Sequence, residues 1–197
     1  FFPGRFTSDN IIIIQEMIHT MRRKKGGKGY VAIKVDLEKA YDRVRGNFLK
    51  QTLELVGIPQ DLVILIMNCV RAESMEILWN GRRSEPFTPQ RGIRQGDPIS
   101  PYLFILCMER LSHLINKAAG ERRWKGMKAS RSGPQITHLM FADDLFLFAE
   151  ASVEQAREVG KILEEFCMLS GQKVNVSKSK LFASSNVPRQ VVREMCR

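Results

Sequence analysis

Between Tyr30 and Leu37, apolar Val31, Ile33, Val35 and Leu37 alternate with Ala32, Lys34 and Asp36. This is the period-two spacing of a strand that buries one face and turns Asp36 to the other. Upstream, Ser8 or Asp9 is placed to cap a helix over residues 10–23, which the Gly26-Gly27-Lys28-Gly29 stretch ends. Downstream, helices are expected over 47–56 and 59–71, the second with Pro59 in the first turn, where no N–H is needed. Asn80-Gly81 separates residues 75–79 from 82–87 and readily adopts the positive φ angles of a two-residue turn, which predicts a hairpin. The pattern then gives a long helix over 100–119, a second hairpin of 138–141 and 145–148 turning at Ala142-Asp143-Asp144, and a helix over 153–169 stopped by Ser170-Gly171. A short strand over 180–183 follows. This order predicts an α+β fold, an antiparallel sheet with helices packed on one face and the other face left open.

Composition narrows the function. The 197 residues carry 31 Lys and Arg against 21 Asp and Glu, a net charge of +10, with 44% hydrophobic residues. A chain of this balance builds a packed core and attracts polyanions. The cations fall in blocks, at 22–28, at Arg91 and Arg94, at 122–131, and at Lys173, Lys178 and Lys180, as needed to replace counterions along a phosphate backbone. Solvated basic loops are the competing reading of the same blocks. The apolar runs are far shorter than the roughly 20 residues of a membrane span, and Cys69, Cys107, Cys167 and Cys196 form no Cys-x-x-Cys pair, so reduced thiols in the nucleus or cytoplasm are expected. The isolated His19, His113 and His138 are assigned no chemistry.

Asp143 and Asp144 lie side by side at the turn of an apolar hairpin. Adjacent carboxylates repel and raise each other's pKa, and a divalent cation removes that penalty. If Asp36 lies beside this turn, three hard oxygen donors converge on a site suited to Mg²⁺; surface turn acids with no metal are the alternative.

Three ordered blocks carry a resemblance. Residues 32–42 (AIKVDLEKAYD), 91–104 (RGIRQGDPISPYLF) and 141–144 (FADD) resemble the motifs of reverse transcriptases, with the nearest likeness to the non-LTR, LINE-type retrotransposon enzymes of plants. Phe2-Pro3-Gly4-Arg5 and Ser170-Gly171-Gln172-Lys173-Val174-Asn175 resemble further family blocks in the same order. The likeness covers nearly the whole chain, and the long Gln-Gly-Asp-Pro block makes it specific.

The resemblance implies an RNA-directed DNA polymerase with a right-hand fold, of which this chain holds the palm and part of the fingers. It implies a single partial domain over 1–197, with 1–29 a fingers remnant, 30–183 mainly palm, and 184–197 leading toward a thumb. Asp36, Asp143 and Asp144 would bind two Mg²⁺ ions, with Mn²⁺ able to substitute, and Tyr41 would act as a steric gate against a ribose 2′-hydroxyl. Gln95, Gly96 and Arg94 would line the nucleotide and template pocket, and Lys178 would protonate leaving pyrophosphate with Lys180 as its competitor. Asp97-Pro98 reads, by residue type alone, as an N-cap followed by a Pro that opens the next helix. An RNA template, a DNA primer, deoxynucleoside triphosphates and the rest of a retrotransposon polyprotein are the implied partners, with upstream fingers, thumb and endonuclease segments expected outside this chain. A non-catalytic nucleic-acid-binding remnant, a group II intron-type enzyme and a metal-dependent nuclease or cyclase are the alternatives. Tyr41 and Gln95-Gly96 speak against the last, because a nuclease selects no incoming sugar.

Overall fold

In the computed structural model, which describes residues 7–71, 74–130, 133–141 and 144–196, four strands form one antiparallel sheet. Strand β1 (Tyr30–Val35) lies between β5 (Asp144–Glu150) and β6 (Lys180–Ala183), and β4 (His138–Phe141) completes the sheet outside β5. The alternation read from the sequence sets the faces. Val31 and Val35 pair with Ala149 and Leu145 and point to one side, toward a core closed by α3 (Gly46–Leu55), α4 (Gln60–Val70), α5 (Ser100–Gly120) and α6 (Val153–Ser170). Phe104, Leu111 and Ile115 of α5 and Phe166 of α6 are fully buried there. Each such side chain contributes about 1.5–3 kcal/mol on leaving water.

The opposite face is less open than its pattern suggests. Helix α1 (Thr7–Arg23) lays Met17 and Met21 over Ala32 and Phe148, with Met127 beside them, and the Asn10 amide donates to the Met140 carbonyl at 3.2 Å. Half of this face is therefore a second small core. Alternation reports that β1 buries one side, but an apolar Ala32 at a nominally polar position is satisfied equally by solvent or by a covering helix. The uncovered half is the end carrying Lys34, Asp36 and Asp144.

Several boundaries shift for local reasons. The first helix begins at Thr7, so Ser8 and Asp9 fall within its first turn, where Asp9 complements the helix dipole. A one-turn helix α2 (Ala40–Arg43), absent from the sequence reading, follows Lys39 in left-handed conformation at φ 45°. Helix α5 has Ile99 as its N-cap and Pro101 in its first turn. Asp97 sits upstream and its carboxylate accepts from the Ile99 N–H at 3.1 Å, so it caps the lead-in turn and not the helix itself. The Asn80-Gly81 hairpin forms as expected, with both residues at positive φ between β2 (Leu78–Trp79) and β3 (Arg82–Arg83). Trp79, beside this turn, is 75% exposed opposite Arg82. A final helix, α7 (Arg189–Met195), packs against α6.

Among the described residues no helix is long and apolar enough to cross a membrane. The described cysteines are free thiols, and burial raises the Cys107 pKa to about 12 while Cys69 and Cys196 are exposed. Iodoacetamide at mild alkaline pH should therefore alkylate Cys69 and Cys196 in the native protein and spare Cys107, which reacts only on unfolding. Mass spectrometry of the tryptic peptides reads the outcome, and rapid native labelling of Cys107 would contradict its burial.

Candidate active site

Asp36 leaves the end of β1 and is held by its own backbone. Its N–H donates to Ser179 Oγ at 3.1 Å, and its carbonyl accepts from the Asn175 N–H at 2.8 Å. The next pairs continue this rail: Leu37 bridges Val174, and the Glu38 N–H donates to the Lys173 carbonyl at 2.9 Å. The half-buried Asp36 carboxylate is left with no hydrogen bond or ion pair among the described residues.

Across the sheet, Val35 pairs with Leu145. One further step of the antiparallel register sets Asp36 against Asp144 on the same face. Asp144 is already strand, paired with Phe141, which corrects the expectation that Asp144 belongs to the bend. Asp143 and Ala142, like residues 2–5 of the proposed N-terminal block, Arg131 and Arg197, lie outside the described residues. Among those described, no group of three or more His, Cys, Asp or Glu stands ready for a metal.

The structure adds a cation that the sequence reading did not weigh. Lys34 Nζ lies 2.8 Å from Asp144 Oδ1 and 5.6 Å from the centre of the Phe146 ring. The signal was present, since Lys34 sits two residues from Asp36 on the same strand face, but the partner follows only from the β1–β5 register. Both groups are substantially solvated, and such a pair contributes at most about 1 kcal/mol. Its geometric effect is larger, because it holds Asp144 toward the sheet beside Asp36. Lys180 lies opposite Lys34 on β6 and continues the charged row.

Asp36 opens into a cleft of about 640 Å³ whose rim includes Asp42, Arg43, Arg91, Asn175 and Lys178. Lys178 is thus on the Asp36 cleft, while Lys180 is not among its lining residues. Tyr41 stands on α2, half-buried, its ring stacked on Phe104 with centroids 4.8 Å apart. The segment carrying Gln95 and Gly96 is tied to the same helix: the Gly92 N–H donates to the Val44 carbonyl at 2.8 Å and the Ile93 N–H to the Tyr41 carbonyl at 3.0 Å. Gly92 has φ 102°, and a Cβ there would come within 2.9 Å of the Asp42 carbonyl oxygen, so only glycine allows this close approach. Gln95 Nε2 donates to Asp42 Oδ1 at 3.4 Å, and Gly96 (φ 89°) and Arg94 are exposed beside it.

Sequence reasoning placed Gln172 in a family block but gave it no role. Its buried amide donates to the Ala40 carbonyl at 2.7 Å and fastens α2 to the segment that pins Asp36. His138, given no chemistry from sequence, is held between Ser112 Oγ and Thr137 Oγ1, each at 2.9 Å, and burial lowers its pKa. It serves packing.

Two carboxylates on one sheet face, one without a partner among the described residues and immobilised through its backbone, form an oxygen donor set that fits a divalent cation. Residues 2–191 match the reverse transcriptase (RNA-dependent DNA polymerase) family. The chain is 31% identical over 191 residues to the Pol polyprotein of the type-2 retrotransposable element R2DM of Drosophila melanogaster, covering 96% of this chain and 17% of that protein. Truncated apo telomerase from Candida tropicalis superposes with a TM-score of 0.64 at 16% identity, over 93% of this chain and 36% of that one. Telomerase from Candida albicans, solved with a fragment of telomeric RNA, gives 0.64 at 14% identity, over 93% and 31%. At these identities the solved structures show the shared polymerase palm fold.

Proposed function

Because the chain belongs to the reverse transcriptase family, an RNA-directed DNA polymerase family whose members generally use divalent metal ions, we propose that it adds deoxynucleotides to a DNA primer on an RNA template as the palm and partial fingers of a larger retrotransposon polyprotein. The observation that carries this reading is Asp36, its carboxylate without a partner among the described residues and its backbone fixed, set against Asp144 across the β1–β5 register. In this reading residues 1–29 belong to the fingers, 30–183 mainly to the palm, and 184–197 lead toward the thumb.

Asp36, Asp143 and Asp144 would hold two Mg²⁺ ions, or Mn²⁺ in their place, which would supply charge neutralisation to the primer 3′-hydroxyl and the phosphates. The 3′-hydroxyl gives its proton to solvent as its oxygen attacks the α-phosphorus, the bond from that phosphorus to the oxygen bridging to the β-phosphate breaks, and pyrophosphate departs. Lys178, on the Asp36 cleft with an ammonium free of described partners, gives its proton to that leaving group, and the position of Lys180 outside the cleft favours Lys178 for the task. Gln95, braced on Asp42, and Arg94 face the nucleotide and template, and Gly96 lets the backbone approach them.

Tyr41 excludes the ribose 2′-hydroxyl. Its stacking on Phe104 and the anchoring of α2 at Ala40, Tyr41 and Val44 make the ring a fixed wall, and a wall discriminates sugars only if it does not yield. Primer extension on an RNA template with Mg²⁺ or Mn²⁺ tests the activity directly. In the same assay Tyr41→Val should raise ribonucleotide over deoxynucleotide incorporation by about tenfold or more, the size expected for relieving one steric clash. An unchanged ratio would remove the gate.

A further inference from the structure

A second cavity, of about 560 Å³, lies on the other side of Arg91 from the Asp36 cleft. It is framed by the start of α3, the end of α4 and residues 88–92, and Arg45, Arg71 and Arg91 all line it, with no acidic residue among the described lining. Arginines that share a cavity whose described lining carries no carboxylate give it a positive potential that attracts an anion. Arg45 is committed, its Nη1 donating to the Met168 carbonyl at 2.7 Å. The Arg71 and Arg91 side chains are exposed and make no hydrogen bond or ion pair among the described residues. Gly46 and Asn47 of α3 also line the cavity, and this helix has no side-chain N-cap, so its first N–H groups add donors of the same sign.

We propose that this cavity is a phosphate subsite in which Arg71 and Arg91 grip an internucleotide phosphate of the strand that passes the Asp36 cleft. Guanidinium forks match phosphate oxygens in pairs, and Arg91, which borders both cavities, links the two along one path. The choice of a nucleic-acid strand rests on the polymerase reading, whereas a phosphate of a nucleoside triphosphate or of pyrophosphate would offer the same chemistry.

The test is fluorescence anisotropy of a labelled DNA primer annealed to a longer RNA template, measured across a salt series for the parent, Arg71→Gln, Arg91→Gln and Arg157→Gln. Both cavity residues are exposed, so neither substitution opens the core. Each cavity variant should bind about three- to tenfold more weakly at low salt, with the slope of log K against log salt reduced by about 0.7–0.9. Arg157→Gln removes the same charge from an exposed position on α6, outside both cavities, and should change affinity less than about twofold. Unchanged slopes in both cavity variants, an equal loss in Arg157→Gln, or no binding by the parent would overturn the subsite.

A raised apparent KM for deoxynucleotide, or weakened competition by pyrophosphate, with primer–template affinity intact would assign the phosphate to the nucleotide and overturn the strand assignment. The binding readout requires no turnover. Arginine-dependent binding without extension would therefore count against the polymerase reading alone, and extension with arginine-independent binding against the subsite alone.

Discussion

Asp36→Asn is expected to reduce metal-supported primer extension by at least about 10³-fold while leaving primer–template affinity within about twofold of the parent. Asn keeps the size of the side chain and removes the charge that a cation requires, and losing a group that stabilises charge in a transition state typically costs 10²–10³ or more in rate. The fold should not register the change. Asp36 is anchored through its backbone N–H and carbonyl, and its carboxylate has no described partner to lose, so urea unfolding should give the same midpoint within error. Extension retained within about tenfold of the parent would remove Asp36 from the chemistry. A parallel fall in stability would recast it as a structural acid.

Gly171→Ala should destabilise the protein by about 3 kcal/mol, seen as a lower urea midpoint with an unchanged slope. Gly171 closes α6 in the left-handed region at φ 83°, which costs an L side chain about 1–2 kcal/mol. A Cβ there would also lie 2.6 Å from the Arg43 carbonyl oxygen and 2.7 Å from Arg45 Cγ. The first contact is backbone, which cannot rotate away, and overpacking of this kind costs about 1–3 kcal/mol. Extension should fall with it, because Arg43 ends α2, the turn that carries Tyr41, and Gln172 ties the same turn at Ala40.

Gly160→Ala in the middle of the same helix is the control. Nothing lies within 4 Å of its added methyl, so helix propensity alone decides and the protein should gain about 0.5–1 kcal/mol. Equal effects at the two glycines would mean that neither the left-handed cap nor the Arg43 contact matters.

The core of the fold was legible because it depends on short-range periodicity. Alternating Val31, Ile33 and Val35 fix which side of β1 is buried, Asn80-Gly81 admits the tight turn between β2 and β3, and Ser170-Gly171 ends α6 where glycine adopts the left-handed cap without strain. Asp36 and Asp144 were found by the motifs around them, and α2 was missed because a single turn has no apolar period to detect.

What the chain's own pattern determined is therefore the set of elements, their buried faces, the candidate acids and the excess of positive charge, all properties of residues close in sequence. Only the tertiary structure decided what meets across long separations. The β1–β5 register brings Asp36 to Asp144 and Lys34 into an ion pair with it, α1 folds back to close half of the sheet, and Gln172 clasps α2 across 132 residues. Likewise Arg45, Arg71 and Arg91 lie in three separate segments and share a cavity only after packing. Sequence spacing encodes direction along one element, whereas the distance between elements is set by the shapes that fill the core between them.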